Sequence, residues 1–228
     1  MNKTLLSVAA IVAATLAVPA YAATAIKITE VAPWSSGNSP LAADWFELTN
    51  TSTSAINITG WKMDDSSSAF STSVALNGIT SIGAGESVIF IESATSLSAS
   101  FKSLWFGANA PAGLQVGFYD GTGAGVGLST SGDGVSIFNA SGVLQAKVTF
   151  GNADAAAPWQ TFDNAAGADN AAISTLSVVG ANGAFTASGA SEVGSPGRIA
   201  AAVPESETYA MMLAGLAVFG AFARKRQQ

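Results

Sequence analysis

The chain has 228 residues and a formal net charge of −6, with no Cys and no His. Those two absences exclude disulfide frameworks, thiolate or imidazole metal sites, Cys nucleophiles and every His-based triad. Between Ala23 and Pro204 there are five basic and thirteen acidic residues, a surface that repels phosphate backbones and argues against nucleic acid as a partner.

Mean hydropathy is +0.38, but the two ends of the chain supply much of it. Residues 1–22 carry Lys3, an apolar run from Leu5 to Val18, Pro19, and Ala20-Tyr21-Ala22. This is the pattern of a secretory signal peptide cleaved after Ala22, with Ala20 and Ala22 at the positions a signal peptidase reads. The domain then opens on a strand at 25–31, with Ile26, Ile28 and Glu30 sharing one face. After a turn-rich loop from Pro33 to Pro40, residues 44–50 alternate Phe46 and Leu48 against Trp45, Glu47 and Thr49. A polar Thr-Ser-Thr-Ser turn leads to a second buried set, Ile56, Ile58, Trp61 and Met63, so the two segments are expected to pair.

Residues 64–73 are polar enough to form a surface loop. Apolar segments at 79–82 and 87–92 flank the small-residue turn Gly83-Ala84-Gly85-Glu86. Residues 101–106 fit either a helical turn or a strand, and 114–119 form a further apolar segment. Gly121, Gly123, Gly125 and Gly127 make a flexible loop; no third Gly at dinucleotide-binding spacing follows them. Val135 to Phe138 and Val143 to Phe150 form a hairpin about Asn139-Ala140-Ser141-Gly142. Weaker strands are expected at 172–179 and near 184–187.

Several of these segments resemble the lamin tail domain family. The carriers are Trp45-Phe46-Glu47-Leu48-Thr49-Asn50, then Gly60-Trp61-Lys62-Met63-Asp64, Leu128 to Asp133 before a strand, and Ser195-Pro196-Gly197 as an ending. The resemblance spans about residues 26–198 and marks Trp45, Glu47, Asn50, Gly60, Trp61 and Asp64 as its signature. It implies an all-β fold: an immunoglobulin-like antiparallel β-sandwich over residues 23–200.

Residues 203–228 differ in kind. Val203-Pro204-Glu205-Ser206 precedes an apolar run at 208–223 and the basic end Arg224, Lys225, Arg226, with two Gln residues last. Sixteen helical residues would span ~24 Å at ~1.5 Å each, short for a bilayer of ~30 Å. The basic end would stay cytoplasmic. This tail resembles the PEP-CTERM sorting signal of Gram-negative bacteria, with Ser206 where the motif has a second Pro. The resemblance implies recognition by an exosortase, a transient inner-membrane anchor, and final placement at the cell surface, outer membrane or extracellular matrix. The expected architecture is therefore a sandwich between an N-terminal signal helix and a short C-terminal transmembrane helix.

Candidate chemistry is sparse. Asp44 with Glu47, or Asp64 with Asp65, could form a carboxylate pair of the kind glycoside hydrolysis uses, though structural hydrogen bonding fits these positions better. Asp64, Asp65, Asp120 and Asp133 are the hard ligands that could hold calcium, but none has EF-hand spacing, and no metal site is assigned. Trp34 and Trp159, in loops, are the candidates for ligand-facing rings. Asn50, Asn57 and Asn139 begin glycosylation sequons, a short match that predicts little in a bacterium. The reading is a non-enzymatic, exported surface or matrix protein associated with exopolysaccharide or biofilm, or with other surface proteins. A self-assembling surface subunit and a carboxylate-dependent hydrolase are the alternatives.

Overall fold

Strands form wherever side chains alternate between two environments, and here both environments are often apolar. The computed structural model describes residues 24–34, 40–121, 124–153, 156–189 and 192–198. In chain order the elements are β1 (Ile26–Ala32), β2 (Trp45–Asn50), β3 (Ile56–Asn57), β4 (Lys62–Asp64), β5 (Val74–Ala75), β6 (Ser81–Ile82), β7 (Ser87–Glu92) and α1 (Ser98–Phe106). They continue with β8 (Val116–Tyr119), β9 (Asp133–Phe138), β10 (Leu144–Phe150), β11 (Trp159–Gln160), β12 (Phe162–Asp163), β13 (Ala171–Ile173), β14 (Phe185–Thr186) and β15 (Glu192–Gly194).

Two five-stranded sheets form a sandwich, ordered β12-β1-β2-β7-β8 and β13-β10-β9-β4-β5. Their facing sides enclose the main core, which includes Ile28, Phe46, Leu48, Met63, Phe90 and Val135. The outer face of the first sheet is buried as well, beneath α1 and a small sheet ordered β11-β15-β14. Trp34, Trp45, Ile89, Ile91, Phe101 and Trp105 form that second core. This explains why β7 reads as an unbroken apolar run: Val88 and Phe90 point into one core, Ile89 and Ile91 into the other. A strand covered on both faces has no polar side to show.

The helix resolves an ambiguous stretch. Phe101 and Trp105 are four residues apart, so they lie one above the other on the face of α1 that meets the sheet. The hairpin β9–β10 forms about its Asn-Ala-Ser-Gly turn, where the Asn139 carboxamide oxygen accepts the N–H groups of Ser141 and Val143, each at 3.0 Å.

Four expectations are corrected. The sheets are mixed rather than purely antiparallel, because β8 joins β7 and β13 joins β10 in parallel. The segments at 44–50 and 56–63 do not pair with each other. β2 lies between β1 and β7, while β4 pairs with β5 and β9 in the opposite sheet, so the chain crosses the sandwich between them. Asn50 organises that crossing: its Nδ2 donates to the carbonyls of Ser54, Ile82 and Gly83 at 2.8, 3.0 and 2.9 Å. Third, Glu30 does not share a face with Ile26 and Ile28. A bulge sets Thr29 and Glu30 against Glu47 alone, so Val31 takes the next core position and Glu30 turns to the outer face. Finally, the strand at 172–179 is confined to β13; beyond it Leu176 makes an isolated bridge to Phe162 and Ser177 is buried, while Val178 and Val179 are exposed.

The expected terminal helices also need correction. Among the described residues the helices are α1, of nine residues, and a 3-10 turn at Gly107–Asn109, and no helix is long and apolar enough to cross a membrane. The described architecture is thus a sandwich with one short internal helix, not a sandwich framed by a signal helix and a transmembrane helix. The inner-membrane partner and the membrane-anchored precursor inferred from such a helix have no element behind them here. Residues 1–22 and 203–228, on which those expectations fell, lie outside the described residues.

Candidate functional site

The outer face of the first sheet carries two carboxyl groups that the strand pairing brings together. Glu30 on β1 and Glu47 on β2 are register partners, 0% and 1% exposed. Glu47 Oε1 accepts the Thr29 hydroxyl at 2.6 Å, and its Oε2 accepts the backbone N–H of Gly197 at 2.6 Å. Glu30 Oε1 accepts the Thr161 hydroxyl at 2.5 Å and the backbone N–H of Ser195 at 2.7 Å. A chain of buried hydroxyls extends the network, from Thr29 to Thr49 at 2.8 Å and on to Ser87 at 2.6 Å, and from Thr161 to Ser177 at 2.6 Å.

Burial raises both carboxyls, because an ion loses its hydration there. Glu47 is pushed up to about 7, with its hydrogen-bond donors opposing the shift. Glu30 lies well above its ordinary value, through burial first and the neighbouring Glu47 charge second. At neutral pH the pair therefore holds a proton. That property would suit general acid catalysis only if a substrate could reach it. Here each carboxyl accepts one threonine hydroxyl and one backbone N–H of residues 192–198, and those bonds fasten that leg to the central sheet.

The other carboxylates serve turns. Asp44 is buried at the head of β2, and its Oδ2 accepts the N–H of Leu128 at 3.1 Å. Asp64 accepts the Ser67 hydroxyl, the Ala69 N–H and the Thr72 hydroxyl at 2.5, 2.7 and 3.1 Å, so it shapes the loop after β4. Asp65 accepts the Ser67 N–H at 2.8 Å. Asp133 binds the N–H groups of Ser66, Ser129 and Gly134 at 3.0, 2.9 and 2.8 Å. Asp120 is exposed beside the Gly-rich loop. Among the described residues no group of three or more Asp or Glu is placed to hold a metal ion.

The aromatic candidates are placed differently from expectation. Trp34 is 0% exposed and packs edge-to-face on Trp45 at 6.3 Å, so it offers no face to a ligand. It is buried because α1 covers the outer face of the sheet, a layer with no signal in the local sequence of the loop. Trp159, half-buried on β11, packs against the same second core. Among the signature residues, Trp45 belongs to this outer core and Trp61 to the inner one, while Gly60 adopts a φ of +76° that turns the chain from β3 into β4. The exposed large apolar side chains among the described residues are Phe70, Val143, Val178 and Val179.

Sequence reasoning missed the partnership of Glu30, Glu47 and the terminal leg. The signals present were a Glu in each of two strands and Ser195-Pro196-Gly197 closing the domain, but the bulge that turns Glu30 outward has no mark in the sequence. Their union depends on contacts 165 and 150 residues apart.

The described fold was compared with known proteins. No curated protein and no solved structure matches the chain. The family model described as Lamin Tail Domain matches residues 19–152, which is more than half of the chain and ends before β11. On that match, the chain belongs to the lamin tail domain family.

Proposed function

We propose that this protein is an adhesion or binding module that works at the cell surface or in the extracellular matrix by holding polysaccharide or other surface proteins. The lamin tail domain match favours a structural or binding unit over a catalyst, and the reading proposed is non-enzymatic. The observation that carries the binding reading is the fate of the acid groups. The two carboxyls brought together are sealed and used to fasten the chain, whereas the solvent meets uncharged hydroxyl and amide side chains. Exposed Thr51, Ser54, Asn57 and Thr59 line one loop region, and Ser66, Ser67, Ser71 and Thr72 another. Such loops on a rigid sandwich suit hydrogen bonding to a hydroxylated polymer.

Export and sorting are the finer form of this proposal and rest on sequence alone. Ala20 and Ala22 suit signal peptidase, and Val203, Pro204 and Glu205 with Arg224, Lys225 and Arg226 suit an exosortase. Mass spectrometry of the mature protein tests it: ends near Ala23 and upstream of Gln228 support it, and an intact Gln228 in the surface fraction refutes it. A glycan array probed with the protein, run beside a hydrolase panel, tests the binding reading. Retention without turnover supports it; turnover lost on Glu47→Gln overturns it in favour of a hydrolase. Concentration-dependent assembly without any glycan ligand would favour a self-assembling surface subunit.

A further inference from the structure

The Glu30–Glu47 pair does more than fill hydrogen bonds. Each carboxyl grips a different backbone amide of one short stretch, Ser195 and Gly197, and β15 at the start of that stretch also pairs with β11 and β14. Its fit is close: a Cβ added to Gly194 would lie 2.5 Å from Glu30 Oε1 and 3.0 Å from Trp105, and one added to Gly197 would lie 2.7 Å from Leu114. The leg thus rests directly on the carboxyls and on the second core.

We propose that the Glu30–Glu47 pair is a pH-operated latch, holding residues 192–198 on the central sheet while the pair shares a proton and letting them go when both carboxyls ionise.

Among the described residues the charges that act on Glu30 are those of Glu47 and Asp163, and no cation there offsets a second charge on the pair. From β1 and β2 the facing groups are the hydroxyls of Thr29 and Thr49; from β7, Ser87; from the β11–β12 junction, Thr161, with Asp163 adding a further negative charge near Glu30. The leg itself brings the Ser195 hydroxyl, 3.4 Å from Glu30 Oε2, and the acidic Glu192, buried on β15. Two of the described basic residues are engaged elsewhere. Lys27 pairs with Asp169 at 3.6 Å, and the Arg198 guanidinium lies 5.0 Å from the centre of the Phe185 ring. A cleft of about 250 Å³ lined by Ser87, Leu114, Gly197 and the acidic Glu86 borders the leg beside the buried pair.

The sign follows from linkage. Both carboxyls bind protons more tightly in the latched form than in water, so the latch is strongest in acid and weakens as pH rises through about 7. Release of the leg frees β15 from β14 and β11 and uncovers Trp105 and Phe185, which touch each other at 5.7 Å. Alkaline conditions would then present an aromatic surface that acid conditions conceal.

Hydrogen exchange of the full chain at about pH 6 and about pH 9, corrected for the intrinsic rate, reads the latch directly. Protection at Ser195 and Gly197 should fall by up to about tenfold per pH unit, while the β9–β10 hairpin keeps its protection. Glu47→Gln removes one ionisation and should leave the leg protected at the higher pH. Equal protection of the wild-type leg at both pH values overturns the proposal, as does an alkaline loss that Glu47→Gln shares. Should that variant fail to fold, the comparison of leg with hairpin in the wild-type chain decides alone. Trypsin cleavage after Arg198 provides a second readout, expected to accelerate with pH beyond the enzyme's own profile.

Discussion

Replacing Trp45 by Ala tests whether the sandwich and its outer layer form one cooperative unit. The indole is 1% exposed and meets Trp34, Phe101 and Trp105 edge-to-face, at 6.3, 5.4 and 5.6 Å. Truncating a fully buried Trp costs about 3–5 kcal/mol when the site cannot collapse, and each lost aromatic pair adds about 0.5–1.5 kcal/mol beyond the area term. Collapse is unfavourable here because the neighbours are anchored on two separate segments, the chain after β1 and α1, so a loss of about 5 kcal/mol is expected. Trp45 also stands on β2 between Phe46 and the β1 pairing, and the same strand sends Phe46 and Leu48 into the inner core. The two layers should therefore unfold together. Urea denaturation followed by far-ultraviolet circular dichroism and by tryptophan fluorescence should show one transition, moved to lower urea with an unchanged slope. A loss below about 1 kcal/mol, or a separate early transition for the α1 layer with the main midpoint unmoved, would refute the reasoning.

Other perturbations probe the remaining links. Trp61→Ala, in the inner core, should cost about 3–5 kcal/mol in the same assay. Asn50→Ala strands the carbonyls of Ser54, Ile82 and Gly83 at the sheet crossing and should cost about 2–3 kcal/mol, measured by thermal denaturation. Gly117→Ala would set a Cβ 2.5 Å from the Asn77 carbonyl oxygen and 2.7 Å from Phe90, so it should destabilise by more than about 2 kcal/mol and reduce soluble yield. Stability should also fall as pH rises from about 5 to about 8. Glu47 moves from 4.5 to about 7 on folding, which corresponds to about 3 kcal/mol that is present in acid and lost through that window. Glu47→Gln should reduce that dependence and leave the part due to Glu30, and a stability curve that climbs over the same range would contradict it.

What the sequence made legible was whatever strict local periodicity controls. The split of β2 into Phe46 and Leu48 against Trp45 and Glu47 follows from its two-residue repeat, and the β9–β10 hairpin follows from its turn. The pairing of β2 with 56–63 was misread because an alternating segment, a polar turn and a second alternating segment describe a crossing between sheets as well as a hairpin. Only Asn50, satisfied by carbonyls on β6 and the turn after it, reveals which. The bulge at Thr29 is similarly silent, since one extra residue leaves the composition of β1 unchanged while reversing the face of Glu30. Burial of Trp34 depends on α1, some sixty residues later in the chain. The outer layer was least legible of all. β11, β14 and β15 are two or three residues each, too short to carry a period, and they are placed by one another and by the two carboxyls of the central sheet.

As proposed above, this lamin tail domain chain binds rather than transforms what it meets. Incubation of the full-length protein with size-fractionated exopolysaccharide, followed by co-sedimentation and sizing of the polymer, examines that claim most directly. The predicted result is protein carried down with a polymer of unchanged length. Shortened polymer, with shortening abolished by Glu47→Gln, would contradict it.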